Sequence, residues 1–346
     1  MLEFLLEYGL FLAKSVTILV AILVVIAVIF GMNQRQKEPE AGHIEVKSLN
    51  DTLEAITHSL KSVVLNPELR KQDEKEAKKK TKEKQKSLKK EVKDGQGPRP
   101  RTFVIDFKGD VQASSVTGLR EEITAILSVA EPTDEVLVRL ESPGGVVHGY
   151  GLAASQLARF RKREIPLTVA VDKVAASGGY MMASVANRII AAPFSLLGSI
   201  GVIAQLPNFH RLLKKNDVDV EVLTAGEFKR TLTVFGENTE KGREKFVEEL
   251  EDVHNLFKEL VSQNRPQLNI DEVATGEAWF GTRALERNLV DELMTSDEYI
   301  VEQCAERDVF LVKFVQHKNK IDRLFERVAR LIAPGVDQQH TNLTIQ

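Results

Sequence analysis

A single cysteine, Cys304, stands in the 346 residues, so no intrachain disulfide can form and oxidation gives no clue to compartment. No Cys/His spacing suited to zinc occurs, no P-loop and no dinucleotide fingerprint. Neither a metal nor an organic cofactor is therefore expected. Charge of one sign is also lacking: the net value is −3, which neither favours nor excludes a polyanionic partner. The one strongly basic stretch, 67–101, has 14 Lys and Arg against 7 Asp and Glu but no aromatic residue. Without aromatic faces to stack on bases it is read as a solvated helix or spacer, in preference to an anionic-lipid tether, and no nucleic-acid partner is expected.

What is present centres on two glycine turns. From Val169 to Ser184 an apolar run breaks on Ala175-Ala176-Ser177-Gly178-Gly179, and a second apolar stretch follows. The pattern predicts a buried strand, a tight turn carrying a serine, and a helix directly behind it. The glycines let backbone approach a ligand closely, and the first helical turn leaves amide N–H groups unpaired. A hydroxyl beside free amide donors suits acyl transfer, although a plain Gly-rich βα turn has the same pattern. Upstream, Glu135–Leu140 reads as a second strand running into Ser142-Pro143-Gly144-Gly145-Val146. A helix follows, with Leu152, Ala153, Leu157 and Phe160 at helical spacing. Both turns would leave the same end of a parallel sheet, where sites form in open α/β folds.

Together with Gly198-Ser199-Ile200-Gly201-Val202, Gly276-x-x-Trp279-x-Gly281-x-x-Ala284 and Leu289-Val290-Asp291-Glu292-Leu293, these motifs resemble the signal peptide peptidase A family, peptidase family S49. The resemblance covers about residues 101–296. It implies an α/β, ClpP/crotonase-like core of repeated ββα units that assembles into homo-oligomers, and a Ser/Lys dyad. Carried onto this chain, Ser177 is the nucleophile and Lys229, in Gly226-Glu227-Phe228-Lys229, the general base. The Gly178 amide and one from the SPGG turn, Gly145 in preference to Gly144, form the oxyanion hole. Ser199 either orients the lysine or is an ordinary turn serine. A solvated lysine is almost wholly protonated at neutral pH, so a lysine base needs dry surroundings, for which Phe228, Leu232, Val234 and Phe235 are near in sequence. Lys173 is nearer to Ser177 along the chain but lies on the preceding strand. The dyad need not lie in one protomer.

Related Clp proteases use Ser-His-Asp, which makes the histidines worth weighing. His210 sits in an expected surface helix over 208–215, and His254 in a charged helix over 241–262; both read as solvated-face residues outside any motif.

Residues 1–32 read as an uncleaved membrane anchor. Ser15–Met32 carries no charge, and extension back to Leu10 gives the ~20 residues a span needs, with Lys14 able to snorkel. Glu3 and Glu7 are wrong for a signal-peptide start, and Gly31-Met32-Asn33 is a poor cleavage site. Arg35, Lys37 and Lys47 after the span favour a cytoplasmic catalytic domain, but large domains translocate despite such charge, so the side stays open.

The expected organisation is an anchor (1–32), an amphipathic helical segment (33–66), a charged linker (67–100), the catalytic domain (101–296) and a C-terminal strand, amphipathic helix and loose tail (297–346). Within 33–66, Val46, Leu49, Leu53, Ile56, Leu60 and Val63 step by three and four, fit to pair with a neighbour or to cap the core. Near the end Ile321, Leu324, Phe325, Val328, Leu331 and Ile332 form another apolar stripe. The expected activity is that of a serine endopeptidase in the bacterial inner membrane, acting on peptides or unfolded proteins such as signal-peptide remnants or damaged envelope proteins. The alternatives are a non-catalytic oligomeric membrane scaffold on the same fold, a Ser-His-Asp protease, and an acyl-CoA enzyme sharing the oxyanion turns.

Overall fold

Val, Ile and Leu dominate four short runs whose side chains are buried on both faces, the condition a central parallel strand must meet. The computed structural model describes residues 7–20, 42–73, 75, 79 and 99–316. The chain divides into two compact units, one of residues 1–43 and 315–346, the other of Ile44–Phe314. In the first, residues 7–20 form an exposed helix. Among the described residues no helix is long and apolar enough to cross a membrane. Most of the expected span, 21–32, lies outside the described residues, as do the apolar stripe 319–332 and nearly all of the charged linker.

Two sheets organise the second unit. The larger has seven strands in the order β1-β10-β2-β3-β4-β6-β9, namely β1 (Gly42–Ser48), β2 (Arg101–Lys108), β3 (Glu135–Glu141), β4 (Leu167–Val171), β6 (Arg188–Ala191), β9 (Glu292–Leu293) and β10 (Asp308–Gln316). From β10 to β9 every neighbouring pair is parallel. The smaller sheet joins β5 (Val174–Ala176), β7 (Leu196–Gly198) and β8 (Ala278–Phe280), with β5 and β7 parallel and β8 antiparallel. One face of the large sheet carries the main core, where Ile105, Val138 and Val169 meet Leu119 and Ile123 of the helix Val116–Leu127 and Leu157 and Phe160 of the helix Val147–Lys162. The other face is a smaller cluster of Val104, Leu137, Ala170, Ile190 and Val309, covered by Tyr299 of the helix Ser296–Glu306.

The expected single strand over 169–176 is two. After Val171 the chain leaves the large sheet for the small one, and Asp172 holds the corner by accepting from the amide and hydroxyl of Ser296, at 2.8 and 2.5 Å. The segment 33–66 also differs from a continuous helix. Val46 belongs to β1, and Ser48 caps the helix Leu49–Val64 by accepting from the Asp51 amide, which stops the helical pattern short of it. Asn50 then ties the helix start to the core through Cys304 O, Arg307 O and the Val309 amide. Ile56, Leu60 and Val63, farther along, are exposed. With β10 and β1 added side by side beyond β2, the compact unit, Ile44–Phe314, is wider than 101–296.

Candidate active site

Ser177 stands where β5 ends and the helix Gly178–Ser184 begins, with φ 52° and ψ −120°, a conformation that costs an L-residue on the order of 1–3 kcal/mol. Backbone bonds on both sides hold it there. The Ser177 amide donates to Gly198 O at 2.8 Å, and the Ser177 carbonyl accepts from Met181 N at 2.9 Å. The residue is half-buried, and its hydroxyl has no hydrogen-bond partner among the described residues. Gly178 opens the helix, so its N–H has no intrahelical acceptor.

The SPGG turn lies against this corner. Ser142 forms a parallel bridge with Ala175, its amide donating to Val174 O and its carbonyl accepting from Ala176 N. Gly144 has φ +90°, and a Cβ placed on it would meet Ala176 O, Gly178 N and Ser177 Cβ, each at 2.8 Å. Only glycine fits so close to the serine. The Gly144 amide donates to Ser142 Oγ at 3.1 Å. Ser142 Oγ is 2.6 Å from the hydroxyl of buried Tyr150, which donates to Asp110 O at 2.8 Å. The next amide that forms a backbone bond is that of Val146, to Val111 O at 2.9 Å; Gly145 N has no acceptor among the described residues.

Ser199, on the neighbouring strand end, has φ 51°, and its amide donates to Glu277 O at 2.6 Å. Gly198 before it, at φ +97°, gives room to Trp279, whose ring a Cβ there would meet at 2.8 Å. Ser177, Gly178, Gly144, Gly145 and Ser199 are thus gathered around the ends of β5 and β7. Among the described residues no hydrogen bond joins Lys229 to them. It lies in an exposed turn where its amide donates to Gly226 O at 3.2 Å, and its ammonium has no hydrogen bond or ion pair among the described residues. Neighbouring Phe228 receives Lys241 and Lys245 on its ring rather than packing over Lys229. Lys173 pairs with Glu141 at 3.2 Å and is exposed.

His254 corrects the solvated-face reading. It is half-buried on the helix Glu240–Asn264, with Nε2 3.3 Å from Ile200 O, one residue past Ser199. That contact spans 54 positions, and the charged neighbours of His254 concealed it. His210 begins the short helix His210–Lys215 and is half-buried as well. Tyr150, one helical turn behind SPGG, was also missed. Its signal is faint, an aromatic between Gly149 and Gly151 at the start of a helix. No group of residues suited to hold a metal occurs among those described.

Residues 3–157 match the family described as peptidase family S49 N-terminal, and residues 159–309 match peptidase family S49. A "probable protease SohB" of Haemophilus influenzae is 55% identical over 91% of this chain and 90% of its own length. Another, of Buchnera aphidicola from Schlechtendalia chinensis, is 52% identical over 87% of this chain and 99% of its own. A "protease 4" of Haemophilus influenzae shares 30% identity over 48% of this chain and 27% of its own.

Proposed function

The chain belongs to peptidase family S49, and from that premise we propose that it is a membrane-anchored serine endopeptidase with Ser177 as nucleophile and Lys229 as general base. The observation that carries the reading is the corner at Ser177: a half-buried serine on a strained turn whose hydroxyl, like the flanking amides of Gly178 and Gly145, has no hydrogen-bond partner among the described residues. Ser177 Oγ attacks the peptide carbonyl while its proton passes to Lys229 Nζ. The tetrahedral oxyanion is held by Gly178 N–H and Gly145 N–H, since the Gly144 N–H is already committed to Ser142. The lysine then protonates the leaving amine, and water, deprotonated by the same group, clears the acyl-enzyme.

Lys229 completes this site from a neighbouring copy. It projects from a long arm, 201–239, whose only helix is His210–Lys215 and whose Ile203 and Leu223 are each 90% exposed. Leu212, Phe228 and Phe235 of the same arm are exposed as well. A second protomer laid on the arm would cover these residues and dry the lysine, which a lysine base requires. The anchor rests on the uncharged run 15–32, and the ring-forming ClpP/crotonase-like assembly would hold the sites beside the bilayer. Substrates are extended peptides or unfolded proteins.

A histidine-based reading has one observation in its favour, the nearness of His254 to the Ser199 corner. Against it, the ring nitrogen is engaged with a backbone carbonyl and no carboxylate orients the ring among the described residues. The deciding experiment assays cleavage of an unfolded protein by the detergent-solubilised full chain from pH 6 to 10. Inactive, folded Ser177→Ala and Lys229→Ala beside active Lys173→Ala and His254→Ala support the dyad. An inactive His254→Ala with an active Lys229→Ala replaces it with the histidine mechanism, and a wild type that cuts nothing leaves a scaffold.

A further inference from the structure

Tyr150 touches both halves of the proposed oxyanion hole. Its ring lies under Gly178: a Cβ on that glycine would meet the ring at Cγ, at Cδ2 within 2.7 Å, and at the tyrosine Cβ within 2.8 Å. Its hydroxyl reaches the SPGG turn through Ser142. The donor and acceptor inventory fixes the direction of the bonds. The single phenolic hydrogen is given to Asp110 O at 2.8 Å, so the 2.6 Å bond between the hydroxyls must use the hydrogen of Ser142. Ser142 Oγ is then free to accept from Gly144 N–H at 3.1 Å. The relay therefore runs Gly144 N–H, Ser142 O–H, Tyr150 O–H, Asp110 C=O, each hydrogen used once, with Gly144, Ser142 and Tyr150 buried and Asp110 at the exposed end. Burial, against the pull of the Ser142 bond, pushes the Tyr150 phenol above its ordinary range, which favours the protonated donor.

We propose that Tyr150 is a positioning residue that sets the separation and aim of the two oxyanion donors, carrying the Gly178 amide on its ring and the Gly145 amide on its hydroxyl relay. The proposal rests on the peptidase reading above. It follows from one rigid body contacting two segments, at Ser142 and at Gly178, with no slack at either: Gly178 cannot accept a Cβ over the ring, and the loop below Gly145 is closed by Val111, whose carbonyl occupies the space of a Gly145 Cβ. Hydrogen-bond donors aimed at a developing oxyanion act in the transition state far more than on bound substrate. Loosening their spacing therefore lowers kcat and spares KM.

The test uses the full chain with Tyr150→Phe, Ser142→Ala and the double variant. It reads kcat and KM on one peptide and amide hydrogen exchange across 142–146. Tyr150→Phe keeps the ring under Gly178 and removes only the relay. The expected result is a kcat lower by about 10- to 100-fold with KM within about twofold, and a double variant no worse than the worse single, because the hydroxyls act as one unit. Exchange over the turn should quicken in each variant. A Tyr150→Phe enzyme as fast as wild type, a change confined to KM, or unaltered exchange overturns the positioning role. A wild type without Ser177-dependent cleavage instead removes the peptidase reading, and exchange across 142–146 still decides whether Tyr150 holds the turn.

Discussion

Ser177 and Ser199 stand at matching ends of two paired strands and share a positive φ, 52° and 51°, with the Ser177 amide donating to the carbonyl of Gly198 between them. The pairing of Ala176 with Gly198 in β5 and β7 sets this match. Each serine holds a conformation better suited to glycine, and both sit at the corner where the SPGG turn arrives. Strain kept at adjacent positions, and held by backbone bonds from outside the turn, is a mark of a site in which geometry is maintained at a cost to stability.

Replacement of Ser177 separates that cost from its use. Ser177→Gly is expected to raise stability by about 1 kcal/mol, since glycine takes φ 52° freely, while reducing cleavage at least about 10³-fold. Ser199→Ala keeps the backbone preference of an L-residue and removes only the hydroxyl; if that hydroxyl orients the base, kcat falls about tenfold. Urea denaturation and steady-state rates measured on the same preparations check both. A Ser177→Gly protein that is less stable than wild type would sink the strain argument.

Gly144→Ala is expected to lose activity about 100-fold or more without unfolding the protein. The added methyl would be driven into Ala176 O, Gly178 N and Ser177 Cβ at 2.8 Å, in a backbone at φ +90°, and would push the serine and its amide donor apart. Gly151→Ala, by contrast, finds open space and should leave rates unchanged. Rates within twofold for Gly144→Ala would remove the SPGG turn from the site.

If Lys229 serves the Ser177 of a neighbour, two inactive proteins should repair each other. An equimolar mixture of Ser177→Ala and Lys229→Ala chains, dissociated and reassembled together, should regain about a quarter of wild-type activity, the fraction of random interfaces that join an intact serine to an intact lysine. The exposed lysine and the apolar arm that bears it motivate the test. A reassembled mixture that stays inactive places the base within the chain.

Local patterns carried much of this in advance. A strand ending near Leu140, one ending at Ala176, a helix over 241–262 and the meeting of Ser177 with the SPGG turn follow from periodicity and glycine placement, both written within a few residues, whereas the place of GSIGV beside them came from the family resemblance. What was not legible depends on partners far along the chain. The step between sheets at Asp172 is set by Ser296, the relay behind SPGG joins Asp110 to Tyr150, and His254 meets Ile200. Asp291, bound at 2.7 Å by the buried Arg265 guanidinium, likewise gives the LVDEL motif a structural purpose its sequence does not state. Val46 was misread because three- and four-residue steps continue across a strand-to-helix boundary that Ser48 enforces.

Glu122 gives a prediction that does not depend on catalysis. Its carboxyl is buried on the helix Val116–Leu127, where Oε1 accepts from the Phe314 amide of β10 at 2.8 Å. Burial, aided by nearby Asp106, pushes it up to about 7, against the pull of the Phe314 bond and Lys313. An acid with a raised folded value binds its proton more tightly when folded. The folded state therefore has its full advantage below the unfolded value near ~4.3 and loses it as pH rises toward 7. The loss amounts to about 3 kcal/mol once the pH passes the folded value. Glu122→Gln retains an acceptor for Phe314 and carries no charge. Denaturation at pH 5 and pH 8 should show the variant close to wild type at the lower pH and more stable by about that amount at the higher. An equal difference at both values would mean that Glu122 does not titrate in this window.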